Sequence, residues 1–176
     1  MPRVDFYILP DALLNGRLLF ACRLTEKAHS LGHPVYLHTA SSRVAEHLNH
    51  LLWTYREDSF LPHCLMEERL LPVPPILIDD ERGPEARGTP LEETLTRMHT
   101  LLCPITDMPP WEGPAAPGVV LINLATTVPV FFEQFTRIAE IVDQDQQNLT
   151  TGRARFIFYR DRGIHPENHK LPATPR

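Results

Sequence analysis

Two groups of side chains in this sequence have types and spacings suited to holding another molecule. The first lies near the C-terminal end. Arg153, Arg155, Arg160 and Arg162 fall within ten residues, interleaved with Phe156, Phe158 and Tyr159 and opposed only by Asp161. Read as a helix, this stretch places Arg153, Phe156, Ile157 and Arg160 on one face by the i, i+3, i+4, i+7 rule. The second group is Trp53 and Phe60. On the helix expected over residues 41–55, Val44, Leu48, Leu51, Leu52 and Tyr55 form the apolar stripe, and Trp53 lies roughly 150–180° away from it. It shares its face with Glu46, Asn49 and His50. An indole on a polar face is a common binding hot spot.

A short acidic peptide ending in an aromatic residue would suit both groups at once. Its ring would enter a slot between Trp53 and Phe60, and Arg153, Arg155 and Arg160 would take its carboxylates. A buried aromatic anchor is worth about 2 kcal/mol or more, an exposed ion pair only ~0.2–1 kcal/mol. The aromatics would therefore set affinity and the arginines orientation. Each group also has a plainer reading. Trp53 can sit beneath the loop that follows it, and arginines near a helix C-terminus can simply complement its dipole.

Catalytic patterns are missing. The chain has neither G-x-x-x-x-G-K-[ST] nor G-x-G-x-x-G, and only eight glycines. Nine histidines invite a metal reading, but no H-E-x-x-H occurs and no carboxylate stands at a ligand-like interval from His47 and His50. Ser41 and Ser42 lack the glycines of a nucleophile elbow and read as a helix cap. Cys64 next to His63 would point away from it in extended chain. The residues imply no catalytic group, cofactor or metal.

Net charge is −5, so any attraction for polyanions must come from a local patch. With 43% hydrophobic and 22% charged residues over 176 positions, one globular domain is expected. Cys22, Cys64 and Cys103 are odd in number and widely spaced, which fits reduced thiols in a cytoplasmic protein. No apolar run approaches the length of a membrane span.

Short apolar runs at 4–9, 35–37, 76–78, 119–122 and 138–142 read as strands, with helices over 18–31, 41–55 and 145–162 and a short helix over 127–135. That alternation predicts a single α/β domain with a mainly parallel, roughly five-stranded sheet and helices on both faces. Residues 81–118 hold seven prolines and four glycines and read as an insertion. Within it, Thr89-Pro90-Leu91-Glu92 is a capping box. It opens a helix whose apolar face, Leu91, Leu95, Met98, Leu101 and Leu102, either docks on the body or awaits a partner. Beyond His169 the chain is expected to fray.

Several segments, in order, resemble the chi-subunit family of bacterial DNA polymerase III holoenzyme. They are VDFYIL, ACRLTEKAHSLGHPVYLHT, the Trp53–His63 stretch ending SFLPH, VVLINLATTVPVFFEQFTRIAEIVD and RARFIFYRDRGI. The resemblance implies a nucleotide-binding-like fold that binds no nucleotide, and a non-catalytic clamp-loader accessory. It implies two protein partners, the psi subunit and the acidic, Phe-terminated tail of single-stranded DNA-binding protein, with DNA met only indirectly and no membrane. By position the tail site would use Trp53, Phe60, Arg153 and Phe156. Ile157 stands where the family usually has a cation, and loss of that cation is expected either to weaken capture of the tail or to pass that task to Arg155 or Arg160. The 81–118 insertion is longer than the family leads one to expect. A direct single-stranded nucleic-acid binder and a nucleotide-type enzyme are the rival functions.

Overall fold

The computed structural model describes residues 1–100 and 118–173. Its strands are β1 (Arg3–Ile8), β2 (Val35–His38), β3 (His63–Leu65), β4 (Ile76–Asp79), β5 (Val120–Asn123), β6 (Arg137–Val142) and β7 (Glu167–Lys170). Its helices are α1 (Gly16–Ser30), α2 (Ser42–Thr54), α3 (Leu91–Thr100) and α4 (Gln146–Asp161). All strand pairings are parallel, in the order β3-β4-β2-β5-β6-β1-β7. The central strands VYLH, ILID and VLIN are buried at every position. Near-continuous apolar runs of this kind belong to sheets covered on both faces.

The chain winds in two directions. From β1 it moves through β2 to β3, toward one edge. From β4 it moves through β5 and β6 to β7, toward the other. Parallel crossovers are right-handed, so reversing direction moves the connecting helix to the opposite face. Two separate apolar clusters follow. Ala21 and Cys22 of α1 and Ala45, Leu48 and Leu52 of α2 pack on Val35, Leu37, Ile76, Ile78 and Ile122. On the other face, Leu91, Leu95 and Met98 of α3 and Tyr159 of α4 pack with Tyr36, Leu77, Leu121 and Ile138. The insertion helix thus docks on the body through its predicted stripe; Leu101, Leu102 and Cys103 lie outside the described residues.

The helix starts have local causes. Ser41, in extended conformation, accepts a hydrogen bond from the Val44 amide at 3.3 Å. Asp145 accepts from the amides of Gln147 and Asn148 at 2.9 and 3.2 Å.

The sheet has seven strands rather than about five. β3 spans three residues, too few to show a period. β7 (ENHK) has no apolar face and is mostly exposed. Its backbone ladder with β1 holds it, with His169 stacked on Tyr7 at 5.1 Å and bonded to Asp5 at 2.7 Å. The chain past His169 is therefore ordered through Leu171, whose amide donates to the Ile8 carbonyl. The expected helix over 127–135 is reduced to a single 3-10 turn, Phe132–Gln134. β5 and β6 are neighbours, and a short return buries Phe132 and Phe135 without a crossover helix. Among the described residues no helix is long and apolar enough to cross a membrane.

Gly152 lets α4 lie close to β6, because a Cβ there would come within 2.8 Å of Val142 Cγ2. Alanine gains about 1 kcal/mol of helix propensity, while overpacking costs about 1–3 kcal/mol. Gly152→Ala is accordingly expected to lower stability by about 1 kcal/mol in urea unfolding, and a rise in stability would contradict this packing.

Candidate peptide-binding surfaces

The aromatic group stands where α2 turns into β3. Trp53 is 52% exposed and Phe60 70% exposed, with ring centroids 5.8 Å apart. The indole also lies 4.6 Å from the His63 ring. His63, buried at the start of β3, is placed by the carbonyls of Asn49 (3.2 Å) and Leu61. The intervening turn is fastened to α1. Arg56 holds Glu26 and Asp58, each at 3.1 Å, and Ser59 donates to Glu26. With Arg56 so engaged, this is an apolar platform on a turn tied down by hydrogen bonds. Trp53 is not beneath the loop; the loop brings Phe60 and His63 to it.

The arginine group divides. Arg153 and Arg160 are exposed on α4, with Ile157 between them 57% exposed. Phe156 is half-buried, edge-on to Phe6 at 5.3 Å. Phe158 carries the Arg162 guanidinium 3.5 Å above its ring. Arg155 faces the other way. It is 3% exposed and donates to Glu140 at 2.7 Å and to the Thr126 carbonyl at 3.2 Å. Glu140 also accepts from Tyr159 (2.9 Å) and Asn123 (3.0 Å). Burial and the neighbouring carboxylate push the Tyr159 hydroxyl far up, so it remains a donor. Arg155 is the counter-charge of a buried carboxylate, and in this fold it is not available to take a peptide's carboxylates.

The expected single cradle is not assembled. α2 packs on one face of the sheet and α4 on the other. Trp53 sits over β3, whereas α4 packs against β6, four strands along. At about 4.8 Å per strand that is roughly 19 Å of lateral separation, with the sheet in between. Trp53 and Phe60 meet each other, and Arg153, Phe156 and Arg160 share a helix. The two groups do not meet.

The carboxyl ends of the strands, where such folds hold nucleotides, are filled by the chain itself. Arg17 donates to the carbonyls of Ile141 (3.2 Å) and Leu124 (3.3 Å) and to Asn148 (3.2 Å). Arg87, from the insertion, bridges Asp79 at 2.7 Å and Asp80 at 2.9 Å, and Tyr36 donates to Asp79. Sequence reasoning missed this cluster. The adjacent acids closing β4 were its one signal. Asp5, Glu167 and His169 offer ligand atoms within 4.8 Å of one another. Arg137 and Arg3 already reach Asp5, at 2.8 and 3.4 Å, and two guanidiniums oppose a further cation there. Burial pushes the Cys64 thiol up to about 12, which removes it as a nucleophile.

His38, at the end of β2, is 4% exposed with Nδ1 unpartnered among the described residues, and burial lowers it to about 4 from 6.5. A lowered basic group stabilises the fold fully above its unfolded value, and that contribution is lost as pH falls from 6.5 toward 4. The span corresponds to about 3 kcal/mol. Denaturant titrations across pH 7 to 4 should show the decline, and His38→Leu should flatten it.

Removing one partner of a buried ion pair costs about 3–5 kcal/mol. Arg155→Ala is therefore expected to lower unfolding free energy by that order, whereas Arg153→Ala and Arg160→Ala each change it by less than about 0.5 kcal/mol. Equal losses at the three positions would refute the inward orientation of Arg155.

Comparison with known proteins agrees with the segment-by-segment resemblance. Residues 1–167 match the family model described as DNA polymerase III chi subunit, HolC. The DNA polymerase III subunit chi of Pseudomonas aeruginosa is 34% identical over 172 residues, spanning 98% of this chain and 99% of that protein. An aligned core of this extent, carried by a seven-stranded parallel sheet whose nucleotide crevice is closed by its own side chains, places this chain in the DNA polymerase III chi-subunit family.

Proposed function

We propose that this chain is an adaptor with two contact surfaces on opposite faces of its sheet, each for a different protein. Chi-family chains are accessory subunits in DNA replication and do not themselves catalyse. In this reading the α4 row receives the acidic, Phe-terminated tail of single-stranded DNA-binding protein, and the Trp53–Phe60 platform receives the psi subunit, which ties chi to the clamp loader.

The observation that carries the assignment is the distribution of free cations. Arg153 and Arg160 are exposed on α4 with no carboxylate partner among the described residues, and Ile157 offers an apolar seat between them. Around Trp53 and Phe60 the nearby arginine is engaged with Glu26 and Asp58. An acidic tail gains most where guanidiniums are unpaired. An apolar partner segment gains most on exposed rings, which need no charge matched. Ile157, in place of the cation expected from the family, leaves the tail two flanking arginines and an apolar contact. Capture should accordingly be more hydrophobic and less sensitive to salt.

The division predicts separable losses. With a fluorescent acidic peptide ending in Phe, Arg153→Ala should raise Kd about tenfold, the loss of one charge-assisted contact. Trp53→Ala and Phe60→Ala should leave that Kd within about twofold. In coexpression with psi the pattern should reverse, each aromatic change weakening association by about 2 kcal/mol or more. A Trp53→Ala loss of peptide binding equal to that of Arg153→Ala would sink the two-surface reading. Tight binding of a bare thymidine oligomer would instead support a direct nucleic-acid binder.

A further inference from the structure

A third feature lies apart from both surfaces. Between the β3 edge and α3, on the face that also carries α4, there is a cavity of about 230 Å³. Cys64 and Leu77 form its floor, contributed by the sheet. Its wall is the segment returning from β3 to β4, where Leu70 is 50% and Leu71 73% exposed. Exposed leucines lining a formed cavity make a joined apolar patch rather than scattered surface residues. The volume falls below the roughly 300–1,000 Å³ of a cofactor pocket and suits one bulky side chain.

The mouth is positive on a chain of net charge −5. Among the described residues, Arg69 and Arg97 line it against a single carboxylate, Glu93, which pairs with Arg97. Arg69 has no carboxylate partner among the described residues; its guanidinium donates to the Arg87 carbonyl at 2.8 Å. Its backbone is left-handed, φ 48° and ψ 42°, at the end of the 3-10 turn Met66–Glu68. Glycine fills such a position without steric cost, and arginine does so only against it.

We propose that this cavity is an anchor site for a segment of a partner protein in which a bulky apolar side chain lies next to a carboxylate. The apolar group enters between Leu71 and Leu77, and the carboxylate meets Arg69. The insertion sets the geometry of this site, because Arg87 fixes both the Arg69 guanidinium and the carboxyl end of β4. The site uses none of the residues assigned to the tail or to psi, so it stands or falls independently of those assignments.

N-acetyl-L-phenylalanine is a minimal probe, a ring next to a carboxylate, and N-acetyl-L-phenylalaninamide is the same molecule without the charge. Titrated into the ¹⁵N-labelled full chain, the acid should shift amide resonances in residues 69–73 and 89–97. It should bind about three- to fivefold more tightly than the amide, the contribution of one partly shielded ion pair. Arg69→Gly should abolish that difference while leaving the melting temperature within about 3 °C of the parent, since glycine relieves the left-handed backbone. Arg69→Asn, which tolerates the same conformation, serves if the glycine variant is unstable. Binding is read only from these two segments, because the same probe also suits the α4 row; Arg153→Ala should remove any shifts on α4 and leave those in residues 69–73 and 89–97 unchanged. No shifts in these segments, equal binding of acid and amide, or a preference that survives both Arg69 changes would overturn the proposal.

Discussion

The handedness of parallel crossovers is the constraint on which this molecule depends. Strand order β3-β4-β2-β5-β6-β1-β7 obliges the chain to reverse direction after β3. Right-handed connections then put α1 and α2 on one face and α3 and α4 on the other. Two residues that each look like half of a binding cradle are thereby held apart by the thickness of a sheet and several strand widths. Changing a side chain at either position would not bring them together, because the separation belongs to the topology. In the two-surface reading proposed above, partners on opposite faces would not compete for space.

Within that frame, one buried carboxylate decides what α4 displays. Glu140 accepts from Arg155, Tyr159 and Asn123 and is fully enclosed. A buried acid is tolerable only when its lone pairs are met and its charge is matched. Arg155 supplies the charge while Tyr159 and Asn123 meet the other oxygen, which fixes the rotation of α4 about its axis. Gly152 fixes its distance from β6. Once rotation and distance are set, Arg153, Ile157 and Arg160 face outward by helical geometry alone.

The carboxyl edge of the sheet follows the same logic with the opposite consequence for ligands. In nucleotide-binding relatives of this architecture the edge is open and helix N-termini point at phosphate. Here Arg17 takes up strand-end carbonyls, and Arg87 ties the insertion to Asp79 and Asp80. The fold keeps its architecture while its own cations and acids satisfy one another at the usual ligand crevice. The contact surfaces proposed above all lie away from that crevice: the aromatic turn, the α4 row and the β3-side cavity.

Much of this protein was legible in its residues. The alternation of short apolar runs with helical stripes determined the α/β class, because periods of 2 and 3.6 are written directly in side-chain polarity. The polar-face position of Trp53 and the docking stripe of the insertion helix were legible for the same reason, since both depend only on local geometry. β3 and β7 were not legible: one is three residues long, the other is polar and joined by backbone hydrogen bonds that leave no mark on side-chain type. Nor did four clustered arginines reveal which one turns inward, because that choice depends on Glu140, on a strand 15 residues earlier. Local chemistry determined which residues could bind a partner. Only the tertiary structure decided which of them share a surface, because strand order and crossover hand are properties of the whole chain.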